Sequence, residues 1–298
     1  MRIGLPCLEC ILDDVREAAF LLAGDETWAE AFSCEARALL KKQILGGQLP
    51  SEAITQVHRL LKSKAGVSVL FKERRERTNR IGITIAEQVK VKAKALPPEE
   101  KFYFLVRWAI AGNALDFRTA GAGYKFDIEA VETYLKKVWE RGLARDDSQA
   151  LRGFLSSARR LLYVLDNVGE SALDQLFIEE CLKPGRAVIA VVRGGAITSD
   201  VVFEDAIQVG LDRVTDKIVS SGSDTLGILW EEASIELKEE FKNTDLVIAK
   251  GQANYYLLSE PEYRRQIPGR VACLFTTKCD LVAGQFEQKG KVNILTMV

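Results

Sequence analysis

A chain of 298 residues is long enough for one large domain or two ordinary ones, and for a sizeable core. Its 47% apolar and 28% charged residues are those of a globular protein, and 41 Lys+Arg against 42 Asp+Glu leave a net charge of −1. That balance gives no electrostatic reason to expect nucleic acid or a membrane surface; no apolar run nears the roughly 20 residues that span a bilayer, and no signal-peptide core opens the chain, so a cytoplasmic setting is expected.

The first half has a helical apolar period. One amphipathic helix runs from about Cys10 to Leu22 and is closed by Gly24; a second, from Trp28 to Leu45, is closed by Gly46-Gly47. Pro50-Ser51-Glu52 reads as a turn and cap before a third, and Phe71 to Ala95 as a long basic helix whose charges form a solvated face. Pro97-Pro98 breaks it before another helix at Lys101 to Ile110. Then comes Ala111-Gly112-Asn113-Ala114-Leu115-Asp116-Phe117, in which Asn113 and Asp116 share one helical face and read equally as caps or as a polar site. Gly112, Gly121 and Gly123 permit tight turns or close backbone approach.

From Leu151 the pattern alternates between strands and helices, after a polar, non-periodic stretch at Arg145 to Gln149. The division expected is a helical region over 1–150 and an α/β domain over 151–298. Strands are predicted at Leu161–Leu165, Ala187–Val192, Arg213–Val219, Leu246–Ala249, Val271–Thr276 and Val292–Leu295. Helices are predicted between them at Ser171–Leu182, Phe203–Val209, Gly227–Glu240 and Ala253–Tyr263. Such alternation implies a mainly parallel sheet with helices on both faces.

The strand ends carry the chemistry. The first apolar run stops abruptly at Asp166-Asn167-Val168-Gly169-Glu170. The next ones lead into Arg193-Gly194-Gly195 through Ser199-Asp200, a small-residue loop at Ser220 to Gly227, Lys250-Gly251-Gln252-Ala253-Asn254, and Thr276-Thr277-Lys278. In open α/β sheets ligands bind at this edge. Asp and Asn oxygens there suit a hard cation such as Mg²⁺ or Mn²⁺, and lysines beside them suit phosphate. A phosphate-cradling nucleotidase loop and a glycine-rich dinucleotide turn are both missing from the sequence. Six cysteines are too sparse for a disulfide scaffold, and Cys7-Leu8-Glu9-Cys10 with the single His58 is weak grounds for zinc.

At these residues the chain resembles the metal-dependent damage-control phosphatases, in the microbial branch with an amino-terminal Cys-x-x-Cys. The motifs are Gly112-Asn113-Ala114-Leu115-Asp116, Asp166-Asn167-Val168-Gly169-Glu170, Arg193-Gly194 through Ser199-Asp200-Val201, Lys250-Gly251-Gln252-Ala253-Asn254 and Thr277-Lys278-Cys279-Asp280. The resemblance implies a helical region packed on a Rossmann-like α/β/α domain. It implies one divalent ion (Mn, Mg, Co or Ni) held by Asp166, Asn167 and Asp200, with Asp205 the rival third ligand. It further implies substrate contacts from Asn113, Glu170, Lys250, Gln252, Asn254 and Lys278, with Asp116 reaching the same cleft. Ala196 stands where the family commonly has proline, and Ser199 where it has asparagine. The activity expected is hydrolysis of a small phosphate monoester, a sugar phosphate or a damaged phosphometabolite, with Lys278 and Lys250 neutralising the phosphoryl group and Asp116 or Glu170 directing water. The alternatives are a Rossmann-like methyltransferase using S-adenosylmethionine and a non-catalytic phosphometabolite-binding protein.

Overall fold

The computed structural model describes residues 2–116 and 128–298. Five helices come first: α1 (Leu5–Ala23), α2 (Glu26–Leu45), α3 (Pro50–Ala65), α4 (Lys72–Lys94) and α5 (Pro98–Ala111). Proline occupies the first turn of α1, α3 and α5, where its missing N–H costs nothing. Gly24 ends α1 in the left-handed conformation, and the Asp25 carboxylate caps α2 by accepting from the Thr27 and Trp28 amides. A 3₁₀ turn at Gly112–Leu115 follows α5. Phe117, Gly121 and Gly123 of the glycine-rich stretch lie outside the described residues.

The chain continues through α6 (Ile128–Glu140), β1 (Arg145–Asp146), α7 (Ser148–Ser157), β2 (Arg160–Val164), α8 (Glu170–Cys181), β3 (Ala187–Val192), α9 (Phe203–Gln208) and β4 (Lys217–Ser220). It ends with α10 (Ile235–Asn243), β5 (Leu246–Lys250), α11 (Gly251–Leu258), α12 (Pro261–Arg264), β6 (Arg270–Thr276), α13 (Asp280–Ala283) and β7 (Asn293–Met297). The strands form one sheet in the order β1-β7-β6-β5-β2-β3-β4, parallel throughout except where β7 runs antiparallel to β6. The two-residue β1 amends the expectation of an entirely helical first half. Part of the predicted Arg213–Val219 strand is a 3₁₀ turn at Leu211–Arg213, where the Thr215 hydroxyl bonds back to the Leu211 carbonyl. The helix predicted from Gly227 starts only at Ile235, capped by Ser234 Oγ, which accepts from the Leu237 amide.

Alternation along the strands divides the interior. Leu161 and Tyr163 of β2, Leu246 and Ile248 of β5, and Ala272 and Leu274 of β6 face a large apolar cluster shared with α1 to α5 and α8. Leu162, Val164, Val247, Ala249, Cys273 and Phe275 face the opposite layer, with α10 and α11. The helical region and the sheet thus share one core. From β2 the chain winds outward through β3 and β4, then returns to lay β5 on the other side of β2. The carboxyl ends of β2 and β5 are therefore a topological switch point, where a crevice opens. No helix among the described residues is long and apolar enough to cross a membrane.

Candidate active site

Both walls of the crevice are built by close backbone approach. After β2 the chain passes through Asp166 and Asn167 to Gly169, at φ +79°, and enters α8 at Glu170. A Cβ on Gly82 of α4 would lie 2.1 Å from the Gly169 carbonyl oxygen, so the helix rests directly on this turn. Across the switch point, Gly251 has φ +81°, and a Cβ there would fall 1.9 Å from Asp166 Oδ2. The carboxylate occupies the space that only glycine leaves free.

The segment 198–202 crosses the ends of β2 and β3. The Val168 amide donates to the Ser199 carbonyl (2.8 Å), the Val201 amide to the Asp166 carbonyl (2.8 Å), and the Arg193 amide to the Val201 carbonyl (2.8 Å). This pairing sets Asp200 beside Asn167. The Asp200 carboxylate accepts from Arg193 Nε at 2.8 Å and from the Thr198 hydroxyl at 2.6 Å. Arg75 reaches over from α4, donating to the Thr198 and Asp200 carbonyls at 2.8 and 2.6 Å and pairing with Asp205. Arg75 is 3% exposed, so it leaves the solvated face to which the basic run assigned it. Asp205 also accepts from Asn79 Nδ2 at 3.0 Å and from the Val202 amide at 3.1 Å. It anchors this loop, while Asp200 and not Asp205 lies with Asp166 and Asn167.

Amides knit the acids together. Asn113 Nδ2 donates to Asp166 Oδ2 (3.0 Å) and Glu170 Oε2 (2.8 Å), and Asn167 Nδ2 donates to the same two oxygens at 2.6 and 3.2 Å. The Ser199 hydroxyl lies 2.7 Å from both Asn167 Oδ1 and Asp116 Oδ1, and Asp116 pairs through its other oxygen with Lys278. Asn113 and Asp116 are thus site members, not helix caps. Ser199 links the Asp116 and Asn167 side chains. Burial, then Glu170 and Asp200, push the Asp166 carboxyl well above its usual range, against the pull of Lys278 and Arg193.

The site residues separate into two layers. Asp116, Asp166, Asn167, Gln252 and Lys278 line an open cleft of about 150 Å³. Asn113, Glu170, Asp200, Lys250 and Asn254 lie behind them. Four residues expected to contact substrate, Asn113, Glu170, Lys250 and Asn254, thus lie in the inner layer. Lys250 shares the face of Leu246 and Ile248, so strand parity turns it under α5 and α8. There its ammonium donates to the Ala109 carbonyl (2.7 Å) and Glu170 Oε1 (2.9 Å) and pairs with Asp174 at 2.8 Å, fully buried. Glu170 is likewise fully buried with both oxygens occupied. Neither lines the cleft. Asn254 is also turned inward, its amide donating to the Lys250 carbonyl at 2.7 Å. Gln252 faces the cleft and accepts from the Lys278 amide at 2.8 Å.

Burial opposes the charge on Lys278, but Asp116 and then Asp166 overcome it and raise the ammonium above its ordinary value. Lys250 is raised in the same way by Asp174 and Glu170, while burial, opposed chiefly by Lys250, pushes Asp174 up to about 6. Among the described residues, five carboxylates (Asp116, Asp166, Glu170, Asp174 and Asp200) face three cationic groups (Arg193, Lys250 and Lys278). Two acids in excess of the cations leave the cluster short of counter-charge, in keeping with the raised Asp166 carboxyl. That surplus fits a divalent cation of the hard kind. No group of three or more His, Cys, Asp or Glu side chains among the described residues is arranged to hold a metal. The candidate set of two aspartates and an amide lies outside that pattern.

Sequence reasoning gave no role to Arg75, Arg193 or Asp174. Asp174 was legible, standing one helical turn after Glu170. Arg193 was legible as the first residue after an apolar strand. Arg75 carried no signal within a run of like charges. Cys7, Cys10 and Cys279 also line the cleft, and Tyr256 between them bonds to Gln252 and to the Cys279 thiol. His58 is fully buried 3.4 Å from Asp14.

Comparisons with known proteins converge. A family model described as the damage-control phosphatase ARMT1-like domain matches residues 5–292. The chain is 30% identical over 297 residues to the uncharacterized protein MJ0202 of Methanocaldococcus jannaschii, covering 99% of this chain and 95% of that one. It is 29% identical over 285 residues to a damage-control phosphatase of Archaeoglobus fulgidus, covering 95% of this chain and 94% of the relative. The crystal structure of a DUF89 family protein, PH1575 of Pyrococcus horikoshii, superimposes with a TM-score of 0.84 at 26% identity, over 98% of both chains.

Proposed function

The chain belongs to the damage-control phosphatase ARMT1-like domain family, and from that membership we propose that it is a phosphatase that hydrolyses small phosphate monoesters with one divalent cation, Mn, Mg, Co or Ni. Sugar phosphates and damaged phosphometabolites are the substrate range. The observation that carries the reading is the unbalanced acid cluster at the switch point, with the Lys278 ammonium on its open side. Asp166 and Asn167 would hold the ion at the cleft, and Asp200, directly behind them on Arg193 and Thr198, is the third candidate ligand. A cation bound there supplies Lewis-acid polarisation of a phosphoryl oxygen and lowers the pKa of a bound water.

The chain's own residues do the rest. Lys278, kept protonated by Asp116 and Asp166, offers a fixed positive charge to the phosphoryl oxygens as they gain charge. Asp116 lies on the cleft surface, where its carboxylate can orient an attacking water, whereas buried Glu170 positions Asn113, Asn167 and Lys250. Asp200 and Arg193 hold each other in the layer behind Asp166.

The test is hydrolysis of p-nitrophenyl phosphate by chelator-stripped protein, with each divalent ion restored in turn. Turnover should depend on the ion and be lost in Asp166→Ala, with the far-ultraviolet circular dichroism unchanged. Ion-dependent turnover that survives in the folded variant would overturn the ligand assignment.

A further inference from the structure

The cleft has two unlike parts. Its floor comes from the strand ends and is polar, with Lys278, Asp166 and Asn167 toward a phosphate. Its walls come largely from α1, α3 and α11 and are mainly apolar: Pro6, Ile11, Pro50, Ile54, Leu226 and Tyr256, whose hydroxyl is engaged by Gln252 and Cys279. The thiols of Cys7, Cys10 and Cys279 are weak polar groups beside them. The carboxylate on that side, Asp14, is 8% exposed and lies 3.4 Å from His58. A polyol placed against these walls would surrender its hydration and regain few hydrogen bonds there. An apolar group would gain by leaving water. The whole cleft, polar floor included, has a volume of about 150 Å³, so its apolar side takes only a compact group.

We propose that the alcohol half of the substrate is a compact apolar group, and not a polyol. This rests on the phosphatase reading and narrows its substrate range, setting sugar phosphates aside. Ile54 and Ile11, one from each of two helices, are the specificity-determining side chains; Lys278 and the acid cluster take the phosphate that all such esters share.

The experiment compares ethyl, butyl and benzyl phosphate with ribose 5-phosphate, under the ion that supports p-nitrophenyl phosphate hydrolysis. All four are esters of primary alcohols, so the leaving group changes little. kcat/KM should rise about fourfold for each added methylene, and benzyl phosphate should exceed ribose 5-phosphate by more than about tenfold. A flat series, or ribose 5-phosphate in the lead, overturns the proposal. Ile54→Asn should shrink the benzyl-to-ethyl ratio; an unchanged ratio in the folded variant overturns the role given to Ile54. Absence of turnover with every ion defeats the phosphatase reading instead, and binding then decides. Benzylphosphonate should bind at least about tenfold more tightly than methylphosphonate by calorimetry. Equal affinity, including no measurable binding of either, overturns the proposal.

Discussion

Two lysines at the ends of neighbouring strands have opposite fates, and the difference is testable. Lys278 is partly exposed at the cleft, with Asp116 as its ion-pair partner; Lys250 is fully buried between Glu170 and Asp174. Lys278→Ala removes a charge aimed at the reacting phosphate, so kcat/KM should fall by about 10² to 10³ with thermal stability nearly unchanged. Lys250→Met strands two buried carboxylates without a counter-charge, and unfolding in urea should show a loss of about 3–5 kcal/mol. If the two substitutions exchanged these effects, the layered assignment would be wrong. Residue types at the strand ends were legible in the sequence, because carboxylates, amides and lysines recur at one edge. Which of them face the cleft was not, with one exception: Lys250 follows Leu246 and Ile248 in strand parity, and that period alone turns it inward.

Elements join the site through contacts that tolerate little. Gly251, at the junction of β5 and α11, combines positive φ with the Asp166 carboxylate at its α-carbon. Gly251→Ala should cost more than the ~1–2 kcal/mol of a left-handed alanine, since Asp166 must also move, and ion-dependent turnover should fall with it. Urea unfolding and the p-nitrophenyl phosphate assay read both. The same framework sorts the thiols. Cys181 at the end of α8 and Cys273 in β6 are buried, and burial pushes both up to about 12. A raised thiol pKa means less thiolate, so an aromatic disulfide reagent at pH 8 should count at most four of the six thiols in the native protein. All six should appear in denaturant; a fifth rapid thiol before unfolding would contradict the packing of α8 or β6. The helices and inner strands were legible from period and punctuation. The segment 226–234 was not, since it packs as loop and a 3₁₀ turn at Trp230–Glu232, and Ser234 delays the helix.

At the scale of the whole molecule, the sheet order made β2 and β5 neighbours, and so brought Asp166 and Gly251 together from 85 residues apart in sequence. Period and composition reveal that strands exist but not which lie side by side, so the fold class was legible and the meeting of these two loops was not. The proposed ion binds a site that exists only in the folded chain, so it should stabilise by mass action. At a free concentration 100 times its dissociation constant the gain is about 2.7 kcal/mol, readable as a higher melting temperature. Asp166→Ala should abolish that shift; an equal shift in the variant would place the ion elsewhere.

Arg75 on the Thr198 and Asp200 carbonyls, Gly82 against Gly169, and Asn113 on Asp166 all join the helical region to the sheet. Inheritance of the two regions is therefore coupled. A recombinant that set the helices of one relative on the sheet of another would have to match a guanidinium, a bare α-carbon and an amide at once. Exchange of either region as a module yields a chain with half a cleft.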